Sequence, residues 1–195
     1  MKYEQHDKAL ERTPIGVVSP LARVAFTWPV LVVLLLLAVP AASQAQYYYS
    51  INANNTNTVT ITGYYGPDGD VSVPATIDGL SVTSIGANAF YESIGVTNLT
   101  IPSSVATIGD YAFSECGLIA FAVPSGVTSI GEGAFENCAN LASITIPGSV
   151  TNVGLLAFED CASLTNAIIG YGVTAIGASA FYQTSLTTSR FLAVS

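Results

Sequence analysis

Cys116, Cys138 and Cys161 stand 22 and 23 residues apart. If that spacing is a structural period, the thiols stack in one column. Strand spacing would then put neighbouring cysteines about 5 Å apart, inside the Cα range of a disulfide, although side chains on parallel strands often point the wrong way. The expectation is a column of buried thiols acting as small hydrophobes. A disulfide in an oxidising compartment is the alternative, and it would leave one cysteine over. A metal site lacks the histidine or CxxC pair that would complete it. Acids form a second series just before the cysteine register: Glu92, Glu115, Glu136, Glu159 and Asp160. Stacked, they make a stripe of like charge. It reads as a solvated edge that keeps the protein soluble. Ca²⁺ bridging is the alternative and would need several converging oxygens. The "PDGD" of Pro67 to Asp70 reads likewise as a turn first and a Ca²⁺ loop second. No cofactor or metal is expected.

Catalysis is disfavoured by what the domain lacks. Residues 46–195 hold ten acids and a single base, Arg190, and neither histidine nor lysine. General acid–base chemistry needs a positioned group of suitable pKa, and these acids are spread along the chain rather than gathered. The net charge of that stretch, −9 against −8 for the whole chain, also excludes nucleic-acid binding, which requires basic groups to neutralise phosphates.

The elements that must position these groups come from a repeat. Phe90, Phe113, Phe135, Phe158 and Phe181 recur at 23, 22, 23 and 23 residues. An Ala precedes each Phe. A Gly lies four before it (Gly86, Gly109, Gly131, Gly154, Gly177), and a Val eight before it (Val82, Val105, Val127, Val150, Val173). Pro102, Pro124 and Pro147 share a position that Gly170 fills in the next copy. A fixed period in this range signals a solenoid, in which each unit buries its apolar face only against its neighbours. "LASITIP" predicts a strand, with Ile144 and Ile146 alternating with Thr145 and Pro147 ending the ladder. "IGEGAFENC" predicts a short helix, because Ile130, Ala134, Phe135 and Cys138 fall at i, i+4, i+5 and i+8. The five Phe positions are the expected repeat core.

The recurring L-x-x-I-x-I-P-x-x-V-x-x-I-G-x-x-A-F-x-x-C, from about Val71 to Leu186, resembles the BspA-like bacterial leucine-rich repeats. The resemblance implies an α/β-type solenoid: a curved right-handed coil with a parallel sheet on its concave face and short helices or turns on the convex one. It also implies secreted or cell-surface proteins, some of which bind host or matrix proteins.

Outside the repeat, Val24 to Ala45 carry no charge, "PVLVVLLLLAV" (Pro29 to Val39) is strongly apolar, and Lys2, Lys8, Arg12 and Arg23 precede it. Ser43 and Ala45 suit cleavage after Ala45, the pattern of a secretory signal. The long basic region leaves a retained membrane anchor open as the alternative. Residues 1–45 are therefore read as signal peptide or anchor. Residues 46–74 read as an N-terminal β cap, with "YYYSI" and "TVTITGYY" as two strands. Residues 75–187 read as five repeats, and residues 188–195 as an incomplete coil. Asn54-Asn55-Thr56 and Asn98-Leu99-Thr100 match the N-glycosylation pattern.

The expected concave face carries Asn98, Thr100, Ala122, Ser143, Thr145, Asn166 and Ile168, all small or uncharged. It suits a protein or glycan partner, unidentified, outside the cell; plain solvated sheet is the equal alternative. The expectation is a non-catalytic binding or adhesion module that meets a membrane only through its N-terminal segment. The alternative is a structural protein that self-associates through an uncapped C-terminal edge.

Overall fold

The 23-residue period becomes a coil because apolar residues point inward on three successive sides of each turn. The computed structural model describes residues 46–192; the signal or anchor segment, 1–45, lies outside the described residues, as do residues 193–195. The strands, in chain order, are β1 (Tyr47–Asn52), β2 (Asn55–Tyr64), β3 (Gly69–Ser72), β4 (Thr76–Ile77), β5 (Leu80–Ile85), β6 (Val96–Thr100), β7 (Thr107–Ile108), β8 (Ala120–Ala122), β9 (Ser129–Ile130), β10 (Ser143–Ile146), β11 (Asn152–Val153), β12 (Asn166–Gly170), β13 (Ala175–Ile176) and β14 (Thr188–Leu192). Among the described residues no helix is long and apolar enough to cross a membrane.

There are two long ladders, where the sequence predicts one. The predicted ladder is present as the parallel order β8-β10-β12-β14, with β3 and β6 forming a separate pair. The second runs β1-β2-β5-β7-β9-β11-β13. Its repeating strands are the two residues before each Gly, so that Ile85, Ile108, Ile130, Val153 and Ile176 stack in register. Two-residue strands are too short to show an alternating pattern in sequence.

The predicted helix is absent: the Ile130 to Cys138 stretch is a strand end followed by tight turns. Its backbone is left-handed two residues before and two after each Phe, at Asn88 and Glu92, Tyr111 and Glu115, Gly133 and Asn137, Leu156 and Asp160, and Ser179 and Gln183. A left-handed residue every fourth position cannot continue a right-handed helix. The amides bond across coils instead: Phe90 N–H to Ala112, Phe113 to Ala134, Phe135 to Ala157 and Phe158 to Ala180, all at 2.7–2.8 Å. Two successive turns thus reproduce the burial pattern of a short helix.

The Phe rings form one ladder through the core. Phe90–Phe113, Phe113–Phe135, Phe135–Phe158 and Phe158–Phe181 centroids lie 5.3, 5.1, 5.1 and 5.0 Å apart. Phe121 wedges against Phe113 and Phe135. Before the first coil, β1 and β2 form an antiparallel hairpin whose second strand pairs in parallel with β5. The extra residues between Pro74 and Val82 are a second, small hairpin of β4 on β5. Its loop is Asp78-Gly79, both at positive φ, the two-residue turn that an Asp-Gly pair favours.

Candidate binding face

Parallel register turns the predicted face residues into rows. Ala120, Ser143 and Asn166 are directly opposed across β8, β10 and β12, and so are Ala122, Thr145 and Ile168. Strand β14 extends the rows with Thr188 and Arg190. Ala122, Thr145 and Asn166 are exposed, and Ser143 and Ile168 half-buried, while Phe121, Ile144 and Ile146 point into the core. Alternation along each short strand does this: the apolar residue enters the core and its neighbours face solvent.

Asn98 and Thr100 are exposed on β6 but belong to a different patch. They pair with Asp70 and Ser72 of β3. Asn98 Nδ2 donates to Asp70 Oδ1 at 2.6 Å, and Thr100 Oγ1 to Ser72 Oγ at 3.1 Å. Sequence reasoning missed Asp70 and Ser72 because the added β4 hairpin breaks the repeat between them and the first Phe. The only sequence signal was Val71 and Val73 alternating around Ser72.

Between β6 and β8 the ladder is interrupted; Ile119 N–H donates to Thr97 O at 3.0 Å. The cause is local. Leu118 follows Cys116 by two residues, where Leu141 and Leu164 follow their cysteines by three. Gly117 makes the shortened step possible, since a Cβ there would lie 2.0 Å from Ile94 O. The predicted face is therefore two patches: a polar one on β3–β6 and a flat, small-residue one on β8–β10–β12.

The acidic series does align on the turns, through bonds such as Glu115 N–H to Glu136 O and Asn137 N–H to Glu159 O. Partial burial, then the charges of Glu159, Asp160, Glu115 and Glu132, raise the Glu136 pKa. The Tyr111 hydroxyl donates to Glu132 Oε1 at 2.9 Å. Among the described residues no three acid, cysteine or histidine side chains converge as a metal site would require. Asp70 of the "PDGD" turn is engaged by Asn98.

The cysteines are free and buried, so the disulfide alternative is not what the structure contains. Each thiol donates to a carbonyl of an earlier coil: Cys116 to Ser93 O (3.3 Å), Cys138 to Phe113 O (3.0 Å) and Cys161 to Phe135 O (3.1 Å). Burial pushes Cys116 up to about 11 and Cys161 to about 12, and raises Cys138 well above its ordinary value. Their chemistry is therefore suppressed, because the thiolate is the reactive form. The folded state holds these protons more tightly than the unfolded chain, whose thiols ionise near 9. This contribution to stability is full below pH 9 and is lost as pH rises from 9 towards 11 and 12. Each thiol then lowers unfolding free energy by up to about 1.4 kcal/mol per pH unit. Urea melts from pH 8 to 11 should show that slope, and Cys161→Ala should flatten it; an equal slope in the variant would refute the assignment. In the same samples, thiol-specific reagents at pH 8 should label no cysteine without denaturant.

Comparison with known proteins places this arrangement. Residues 83–193 match the model of the BspA type leucine rich repeat region, in six copies. A leucine rich repeat protein of T. pallidum shares 32% identity at a TM-score of 0.73, covering 78% of this chain and 70% of its own. A leucine-rich repeat protein from Bacteroides capillosus shares 24% identity at a TM-score of 0.51, covering 74% and 92%. The pneumococcal vaccine antigen PcpA shares 20% at a TM-score of 0.52, covering 74% of this chain and 48% of its own, a likeness of fold. No curated protein sequence matches the chain. With the repeat matched over more than half its length, and its strands and turns in the register that the repeat demands, the chain belongs to the BspA type leucine-rich repeat family.

Proposed function

We propose that the protein is a non-catalytic binding module displayed outside the cell, docking a protein or glycan on the face of β8, β10 and β12. The observation that carries this reading is the pair of rows Ala120-Ser143-Asn166 and Ala122-Thr145-Ile168, exposed except at half-buried Ser143 and Ile168, on a backbone fixed by parallel pairing. A flat surface of small, uncharged side chains costs little to desolvate, and its rigidity limits the entropy lost on binding. The withdrawal of all three thiols into the core and family membership support the same reading. The β1–β2 hairpin serves as the N-terminal cap: Tyr64 stacks on Phe90 at 5.1 Å and Tyr47 meets it edge-on at 6.4 Å, closing the Phe ladder.

The test is capture of extracellular proteins and glycans by the immobilised full chain. Thr145 is exposed between Ala122 and Ile168, so Thr145→Arg should weaken capture roughly tenfold or more by placing a long charged side chain at the centre of the face. Circular dichroism should be unchanged. No saturable partner at micromolar concentration would overturn the reading.

A further inference from the structure

We propose that Asn54, at the tip of the β1–β2 hairpin, is a site of N-linked glycosylation, and that Asn98, which carries the same motif, is not. The inference shares with the binding reading only display outside the cell, where a sugar donor is met, and not the ligand of the candidate face.

The sequence offers the two sites equally, as Asn54-Asn55-Thr56 and Asn98-Leu99-Thr100. Transfer requires a free side-chain amide and a backbone that can bend into an enzyme's active site, so acceptor asparagines lie on exposed turns. Asn98 meets neither condition. Its Nδ2 already donates to Asp70 Oδ1 at 2.6 Å, and Thr100 Oγ1 donates to Ser72 Oγ at 3.1 Å. Both residues lie within β6 and pair in register with β3. Leu99 between them is 6% exposed, so bending this motif outward would draw a core side chain into water.

Asn54 meets both conditions. Asn52 pairs with Asn55, which leaves Ala53 and Asn54 as the loop. Asn54, Asn55 and Thr56 are all exposed. The neighbouring asparagines are engaged: Asn52 donates to Thr58 Oγ1 and Thr83 Oγ1 and accepts from Thr60, and Asn55 Oδ1 accepts from Asn57 N–H. The Asn54 side chain makes no hydrogen bond among the described residues. Strand β2 buries no residue before Thr58. The tip can therefore open without uncovering an apolar side chain of β2, while the Asn52 network holds the strands together behind it.

The reaction needs no group of this chain beyond the motif. Asn54 Nδ2 attacks the anomeric carbon of an oligosaccharide carried on a polyprenyl pyrophosphate. A C–N bond forms as the bond from that carbon to the pyrophosphate oxygen breaks; the lipid pyrophosphate leaves, and the transferase takes the amide proton. The attached sugar stands beside the outer edge of β1, which has no strand partner among the described residues and exposes Tyr48 and Ile51, each at 56%. An open edge is a template for pairing with another chain, and a bulky, hydrated group beside it obstructs that pairing.

The test incubates the folded full chain with a lipid-linked oligosaccharide and an oligosaccharyltransferase for which synthetic peptides of residues 50–60 and 94–104 are both acceptors. Products are mapped by mass spectrometry. The expected result is one glycan per chain at Asn54, with occupancy roughly tenfold or more above that at Asn98, as an exposed turn against a paired strand implies. Thr56→Ala, at an exposed position, should abolish it. No glycan on the folded chain overturns the proposal. So does comparable occupancy of the two asparagines, a glycan at Asn98 alone, or one that persists at Asn54 in Thr56→Ala. The donor is supplied directly and ligand capture is read in a separate assay, so this reading and the binding reading fail separately.

Discussion

Phe135→Ala is expected to lower unfolding free energy by about 3–5 kcal/mol, the range for removing a fully buried aromatic ring. Phe135 is inaccessible to solvent. Its ring touches three others: Phe113 at 5.1 Å, Phe158 at 5.1 Å and Phe121 at 5.3 Å. In a solenoid each coil is stabilised by its two interfaces, and truncating this ring opens a cavity in both. Phe181 makes the comparison. It is only partly buried, and among the described residues its one ring partner is Phe158 at 5.0 Å. Phe181→Ala should therefore cost less than half as much. Chemical denaturation of the two variants beside the parent decides it, and equal losses would show that the ladder does not bind the coils together.

The same ladder explains how far the sequence could be read. Phe and Gly recur at one position per coil because each is fixed by a contact with the coil before or after it, so the period and the L-x-x-I-x-I strand were legible. The turns were not. Asn88, Tyr111, Leu156 and Ser179 share one left-handed position, yet their side chains have nothing in common that would announce it. Burial spacing alone therefore reads as a helix. The rows of the candidate face were legible from alternation around Ile144 and Phe121. The division of that face was not, because it comes from a single missing residue beside Gly117, whose effect appears only when Ile94 O is seen 2.0 Å from the absent Cβ. Asp78-Gly79 is the converse case: a strong local hairpin signal that the surrounding repeat obscured.

Gly154→Ala should be the other severe substitution, at about 3 kcal/mol, the upper part of the range for overpacking. Gly154 is not at positive φ, so its backbone would accept alanine; the obstacle is steric. A Cβ at 154 would sit 2.4 Å from both C and O of Gly131, and 2.6 Å from Glu132 N. These are backbone atoms of the preceding coil. They cannot retreat independently, because Gly154 N–H donates to Ile130 O at 2.9 Å and Val153 pairs with Ile130. The equivalent Gly177 would meet Leu155 N at 2.4 Å, and Gly109 would meet Ala87 N at 2.7 Å. Glycine at this corner thus sets the spacing between coils, which in turn sets the ring spacing of the Phe ladder and the row spacing of the candidate face. Gly148, just after the strand in the same coil, provides the control: its Cβ would approach nothing closer than Gly172 N at 3.3 Å. Gly148→Ala should cost under about 1 kcal/mol, since a contact of that length needs little adjustment. If both substitutions cost the same in thermal or urea melts, close approach at the glycine column is not what fixes the coil spacing. If Gly154→Ala alone is severe and also weakens ligand capture, the corner, the core and the face are one mechanical unit.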